Sequence, residues 1–210
     1  MPAAETAREA LAAAAVAQTG VSAAAAARLA GAFSLREVAA RAPVARPGSS
    51  AHEVLFVARG LLRFYYPGEG GAEANKAFVA EGAFAGALAA AELGVPILYG
   101  IEALEASTVL AAPVAELAAR MEADPALERF GRRLAERILA RKERRSRSLL
   151  LQSATERYLD FCHTHPDLVQ RVPQHHIASL LGMSAVHLSR VRRELAAGAG
   201  DGARSVLNPG

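Results

Sequence analysis

The stretch VPQHHIASLLGMSAVHLSRVRREL, residues 172–195, limits the fold of this chain more than any other segment. Pro173 suits the first turn of a helix, where its missing N–H removes no hydrogen bond. Gly182 follows an apolar helical stripe at a point where a helix must stop, and glycine tolerates the positive φ of a sharp turn. Ser184 is a favoured N-cap residue. The pattern predicts two short helices joined by a tight turn.

The second of these helices has two different faces. Leu188, Val191 and Leu195 recur at spacings of three and four, which places them on one buried face. A different face carries Ala185, Val186, Ser189, Arg190 and Arg193. Ala178 is small where the two helices would cross. These features meet the physical requirements of a helix-turn-helix whose second helix enters the major groove of DNA.

Charge is distributed unevenly along the 210 residues. Residues 1–119 carry 8 Lys and Arg against 11 Asp and Glu, a net charge of −3. Residues 120–195 carry 15 against 9, a net charge of +6. A basic C-terminal part is typical of a polyanion-binding domain, although a solvated arginine-rich helix would give the same count.

The compartment is indicated by cysteine usage and hydropathy. The single cysteine, Cys162, rules out an internal disulfide and favours a reducing, cytoplasmic setting. The sequence has no run of about eighteen strongly apolar residues, so we predict no membrane span and no membrane partner.

Upstream of the motif, the chain is predicted to be helical at its start and β-rich in its middle. Residues 5–31 are alanine-rich with breaks at Gly20 and Gly31, and they predict two helices. HEVLFVA, LLRFYY and STVLAA are β-branched or aromatic runs of strand length, and PGEGG is a turn. Several short strands at this spacing predict an all-β barrel or roll.

A long helix is predicted from Pro125. Leu127, Phe130, Leu134 and Ile138 lie at spacings of three and four, and so narrow a stripe on so long a helix favours a dimerisation seam. Ser153 and Glu156 match a capping box that starts the next helix. We therefore expect helices and a β-roll over 1–119, a dimerisation helix over 120–148, a helix-turn-helix domain over 149–197 and a flexible tail over 198–210.

The C-terminal motif resembles the helix-turn-helix of the Crp/Fnr superfamily of bacterial transcription regulators. The matching letters are Ile177-Ala178, Gly182 and Ser189-Arg190, and ATERYLDF followed by PDLVQRVPQHHIA resembles the segment that leads into the motif. RGLLRFYYPGEGG is similar to the strand–turn–strand of the family's cyclic-nucleotide-binding-type β-roll. The resemblance covers roughly residues 15–195.

This resemblance implies an α+β fold. Its parts are an N-terminal β-roll of the double-stranded β-helix type with flanking helices, a long dimerisation helix and a C-terminal winged helix-turn-helix. It also implies a homodimeric, sequence-specific DNA-binding transcription regulator that is not an enzyme. The partners are then double-stranded DNA, a second copy of the chain and RNA polymerase, with a small-molecule effector left open.

The family's DNA-contacting positions carry over to residues of the predicted second helix. Bases would be read by Ala185, Val186, Ser189 and Arg190. A bidentate contact of Arg190 with guanine O6 and N7 would discriminate against other bases by about 1–3 kcal/mol. Many relatives have glutamate where this chain has Val186, so contact with cytosine is lost and contact with a thymine methyl group becomes plausible. Phosphate contacts are expected from Ser184, Arg192, Arg193 and Gln174.

Family members that bind cyclic nucleotide resemble one another in a Gly-Glu-leading loop and an arginine that grips the phosphate. Here the corresponding Phe84-Ala85-Gly86-Ala87 has no glutamate, and Lys76 is the only cation between Arg63 and Arg120. A buried phosphate needs charge-assisted donors, so we expect no response to cyclic nucleotide and no cofactor. Glu102 and Glu105 are expected to face solvent.

Other functions are less well supported. Cys162, His163, His165, His175 and His176 suggest zinc, but the Cys-His-x-His spacing matches no common structural site, and one thiolate is too few for an iron–sulfur cluster. A metal-dependent β-barrel enzyme would need clustered ligands, yet residues 32–113 contain one histidine and no aspartate. A β-roll that senses a protein or small ligand, with weak DNA binding, stays open as an alternative.

Overall fold

The computed structural model describes residues 2–50 and 52–198. They divide into two compact units, one of residues up to 72 with 76–139, the other of 73–75 with residues from 140 onward. The elements in chain order are α1 (Pro2–Thr19), α2 (Ala23–Ala30), β1 (Ser34–Val38), β2 (Pro43–Ala45), β3 (Glu53–Arg59), β4 (Leu62–Pro67), a 3-10 turn (Glu69–Gly71), β5 (Glu73–Val79), β6 (Phe84–Gly86), α3 (Leu88–Glu92), β7 (Gly100–Ala103), β8 (Ser107–Pro113), α4 (Val114–Ala123), α5 (Pro125–Leu151), α6 (Ala154–Thr164), α7 (Pro166–Arg171), α8 (Gln174–Leu180) and α9 (Ala185–Gly198).

Two four-stranded sheets form the β-roll, with strand orders β1-β8-β3-β6 and β2-β7-β4-β5. Strand β3 pairs antiparallel with β8, and Leu55 lies opposite Ala111. Alternate residues of a strand point to opposite sides of its sheet. Accordingly, Val54 and Phe56 enter one apolar cluster whereas Leu55 and Val57 enter another. Burial on both faces explains why HEVLFVA reads as a nearly continuous apolar run.

Helices α1 and α2 and the start of α5 also contribute to the first cluster. Leu11, Leu29 and Phe130 are buried there with Phe56. The rings of Phe84 and Phe130 meet edge to face with their centroids 5.4 Å apart. The two helices predicted over residues 5–31 and the three predicted strands are therefore confirmed.

A break at Asp124 separates α4 from α5. The backbone of Asp124 is extended, as expected for a residue before proline, and Pro125 opens the new helix. Asp124 Oδ1 accepts a hydrogen bond from the Ala126 N–H at 2.9 Å, and Oδ2 pairs with Arg28 at 2.6 Å. These hydrogen bonds, the one from Arg28 first, lower the pKa of Asp124. The long helix thus begins at Pro125, as its sequence predicts, and runs to Leu151.

The apolar stripe at the start of α5 packs inside its own chain. Leu127, Phe130 and Leu134 are 4%, 0% and 6% exposed and belong to the cluster built on α1, α2 and β3. Ile138 is partly buried against the same cluster. Apolar contacts within the chain thus cover Leu127, Phe130 and Leu134 and partly cover Ile138, and the dimer seam through these four side chains stays a prediction.

The second unit is helical over residues 140–198. Ser153 and Glu156 form the predicted capping box at the start of α6. Helices α8 and α9 are the predicted helical pair, with Ile177, Ala178, Leu188 and Val191 buried. No strand occurs between residues 140 and 198, and any wing strand that follows α9 lies outside the described residues. The expected flexible tail from residue 199 lies outside the described residues.

Within residues 2–50 and 52–198, no helix combines the length and the apolar character that crossing a membrane requires.

Candidate nucleic-acid interface

The turn between α8 and α9 has the geometry that its sequence predicts. Gly182 adopts a φ of 66°, the left-handed region that glycine tolerates best. The Met183 N–H donates to the Ala178 carbonyl at 3.0 Å, which closes the end of α8. Ser184 Oγ accepts the N–H of His187 at 3.1 Å, so Ser184 caps α9 as predicted. The start of α9 is therefore fixed by backbone geometry and one side-chain cap.

Helix α9 separates its buried side chains from its exposed ones. Leu188 and Val191 are buried and Leu195 is half-buried, so the three predicted core residues face inward together. The side chains predicted to read bases are all exposed, together with the arginine predicted to meet phosphate: Ala185, Val186, Ser189, Arg190 and Arg193. We call these five residues the reading face. Because an α-helix turns about 100° per residue, they cover one continuous side of α9.

Arg192 points elsewhere. It is half-buried and hydrogen-bonds the Tyr158 hydroxyl of α6. Burial, with a hydrogen bond to Cys162, raises the pKa of Tyr158 to about 12, so the phenol stays protonated at neutral pH. This hydrogen bond joins α9 to α6, and the phosphate contact expected of Arg192 stays a prediction.

The other two predicted phosphate ligands lie at helix starts. Ser184 is exposed, but its Oγ already accepts the capping hydrogen bond, leaving the hydroxyl proton as the donor for a ligand. Gln174 is exposed as the first residue of α8.

Two packing contacts were not predicted from the sequence. One is made by α6 residues that lie against α9, and the other by a residue that lies next to the Gly182 turn. Tyr158 and Cys162 are buried one turn apart on α6, and burial raises the pKa of the Cys162 thiol. Leu149 Cδ2 lies 3.1 Å from the point where a Cβ at Gly182 would stand. The spacing of four between Tyr158 and Cys162 signals a shared helix face, but their neighbours depend on tertiary packing.

Two cations of the β-roll, Arg63 and Lys76, contact side chains of the same unit. Arg63 is buried, pairs with Glu102 at 3.3 Å and stacks 4.3 Å from the Tyr65 ring centroid. Glu102 is therefore half-buried in an ion pair, which corrects the expectation that it simply faces solvent. The Lys76 ammonium lies 3.4 Å from the Tyr99 ring centroid, a cation–π distance.

The histidines and Cys162 do not assemble into a metal site in the described part of the chain, where no group of three or more His, Cys, Asp or Glu side chains could hold an ion. Cys162 is buried beside Tyr158, whereas His163 and His175 are exposed.

Comparison with known proteins gives a likeness of fold. In sequence, neither a protein-family model nor a curated protein matches the chain. Among solved structures, FixK2 from Bradyrhizobium japonicum matches with a TM-score of 0.67 at 18% identity, over 82% of this chain and 90% of that one. The c-di-GMP-responsive global regulator CLP from Xanthomonas campestris matches with a TM-score of 0.63 at 19% identity, over 84% and 92%. A CooA mutant from Carboxydothermus hydrogenoformans matches with a TM-score of 0.60 at 17% identity, over 80% and 78%. These proteins are Crp/Fnr regulators, and this chain has their β-roll and helix-turn-helix fold.

Proposed function

We propose that this protein is a sequence-specific DNA-binding transcription regulator of the Crp/Fnr type, working in the cytoplasm and not as an enzyme. The observation that carries the proposal is the reading face: five exposed side chains on one side of α9, held by the Gly182 turn and the Ser184 cap. A short, rigidly held helix with exposed arginine and serine fits the major groove.

The reading face divides into base-reading and phosphate-binding parts. Arg190 presents a guanidinium fork, which matches the O6 and N7 acceptors of guanine. Ser189 precedes it as a small donor and acceptor. Arg193 lies one turn further along and binds the DNA backbone, which positions the helix without reading sequence.

Homodimerisation is supported by a second apolar face on α5. Leu139 and Leu150 are 59% and 81% exposed, unlike the buried stripe at the start of the helix. With the small residues Ala135 and Ser146, they lie within about 60° of the helix circumference. A second copy would cover this outer stripe, and two-fold symmetry would then set operator half-sites about 34 Å apart.

The β-roll is proposed not to bind cyclic nucleotide. Arg63 already neutralises Glu102, and the Lys76 ammonium rests on the Tyr99 ring. A cyclic phosphate would have to compete for one of these cations. An uncharged effector, and a contact with RNA polymerase, are compatible with the proposal.

The test is selection of bound duplexes from a random library, followed by anisotropy titrations on the selected operator. Arg190→Ala should bring the affinity for the operator down to that for scrambled duplex, because it removes the guanine contact. Arg193→Ala should weaken binding to both duplexes alike and make the salt dependence less steep. Arg129→Ala, which removes one exposed arginine from α5, is the charge-matched control. It should change neither the preference for the operator over scrambled duplex nor the salt dependence of binding.

Three results would contradict the proposal. Selection that enriches no sequence would exclude specific DNA binding. An unchanged operator preference in Arg190→Ala would exclude the base-reading assignment. A tenfold gain in operator affinity on adding cyclic AMP or cyclic GMP would overturn the nucleotide-independent part.

A further inference from the structure

Val186 is an exposed apolar side chain on the second residue of α9. It is 72% exposed, more than most of the large apolar residues that the described chain leaves in solvent. Its β-branched side chain is a weaker helix former than alanine or the polar straight-chain residues that usually occupy a solvated helix surface. Single exposed apolar residues are common on proteins, so the position of Val186 has to decide what it does.

Val186 stands at the centre of the reading face. With Ala185 at zero and about 100° per residue, the buried Leu188 and Val191 point to about 300° and 240°, and Val186 points to about 100°. It is therefore almost diametrically opposite the core, whereas Ala185 lies at the edge of the face. Arg193 falls two turns later on nearly the same line.

The chemistry of valine narrows what it recognises. Its side chain has neither a hydrogen-bond donor nor an acceptor, so it cannot read the polar edge of a base. In the major groove, the apolar group that distinguishes one base from the others is the C5 methyl of thymine. We propose that Val186 is a specificity-determining residue that reads one thymine per half-site through this methyl group. The inference rests on the proposed function, because it requires α9 to lie in the major groove.

The neighbours of Val186 locate that thymine. Ser189 and Arg190 follow at three and four residues, the spacings at which helical side chains are adjacent, with Cβ atoms about 5–6 Å apart. Successive base pairs are about 3.4 Å apart. The thymine should therefore lie one or two base pairs from the guanine that Arg190 reads.

The test replaces single thymines of the selected operator by deoxyuridine, which removes only the C5 methyl. For the unaltered protein, replacing this thymine in one of the two half-sites should raise Kd about fourfold, the equivalent of about 0.8 kcal/mol for one buried methyl group. In Val186→Ser the same replacement should change Kd less than twofold. Placing cytosine at that position should weaken binding, and 5-methylcytosine should recover part of the loss.

Controls separate this inference from the proposed function. Leu159→Ser alters an exposed apolar residue of α6 outside the reading face and should keep the full response to deoxyuridine. Suppose that both the unaltered protein and Val186→Ser bind the operator specifically, and that each deoxyuridine replacement changes their Kd by the same factor. Val186 then does not read thymine, while the proposed DNA binding is unaffected. If selection yields no operator, the proposed function itself fails. The deoxyuridine series on the unaltered protein keeps the test decisive even where a variant folds poorly.

Discussion

At the scale of single residues, the turn before α9 depends on Gly182. Its φ of 66° is a conformation that costs a residue with a Cβ about 1–2 kcal/mol. A Cβ there would also stand 3.1 Å from Leu149 Cδ2, a tight contact that the flexible leucine end relieves in part. The position therefore tolerates a side chain only at a cost.

We expect Gly182→Ala to lower the free energy of unfolding of the second unit by about 1–2 kcal/mol, and to weaken operator binding because α9 is mispositioned. Thermal melts followed by circular dichroism, with anisotropy titrations, measure both effects. Gly182→Asn should lose less, since asparagine enters the left-handed region more readily than alanine. Gly198→Ala, a site with open space around it, is the control and should be neutral. Equal stability of Gly182→Ala and Gly198→Ala would exclude the turn argument.

At the scale of one element, the start of α6 is held by a reciprocal cap. Ser153 Oγ accepts from the Glu156 N–H at 3.2 Å, and Glu156 Oε2 accepts from the Ser153 N–H at 2.7 Å. Hydrogen bonds that the Ser153 N–H and the Ser153 hydroxyl donate to this carboxylate lower the pKa of Glu156 below its ordinary value. A depressed carboxyl pKa contributes stability above the unfolded value, about 4.3, which is lost as pH falls through the lower folded value.

Ser153→Ala should therefore destabilise the second unit by about 1 kcal/mol at pH 7, the usual effect of losing an N-cap. Glu156→Gln keeps a side chain that completes a capping box but does not titrate. The stability advantage of the unaltered chain over Glu156→Gln should hold at pH 7 and shrink below about pH 4. Urea unfolding at a series of pH values measures this, and a constant difference across the series would contradict it.

The elements also show what a sequence can predict. The capping box, the Gly182 turn and the strand β3 follow from neighbours within a few residues, and all were predicted. The strand order β1-β8-β3-β6 was not, because its pairs are distant in sequence and period-two patterning does not identify partners. The contact of Arg192 with Tyr158 was not predicted for the same reason, because the pattern of α9 alone does not show which side chain of α6 lies beside it. Which residues of two elements face each other depends on tertiary packing, and the pattern along one element does not show it.

At the scale of the whole molecule, α5 shows how one pattern serves two purposes. A stripe at spacings of three and four predicts that a helix side is covered, not what covers it. Leu127, Phe130 and Leu134 are covered by the chain itself. The outer stripe of Ala135, Leu139, Ser146 and Leu150 is shifted by roughly a third of a turn around the same helix and is exposed. We therefore expect the dimer contact on that outer stripe.

Substitutions in the outer stripe should separate the two copies of the proposed dimer. Leu139→Glu combined with Leu150→Glu would place two carboxylates on each side of a two-fold contact, where burying unpaired charge is strongly unfavourable. We expect sedimentation equilibrium to report a monomer, with circular dichroism unchanged because both leucines are exposed in the single chain. Operator affinity should fall steeply while affinity for an isolated half-site is retained, since each α9 still reads its bases.

Leu159→Glu, an exposed leucine on α6, is the matched control and should stay dimeric. A double variant that remains dimeric would show that a different surface joins the two copies, and a monomeric unaltered protein that binds a full operator would exclude the symmetric mode altogether.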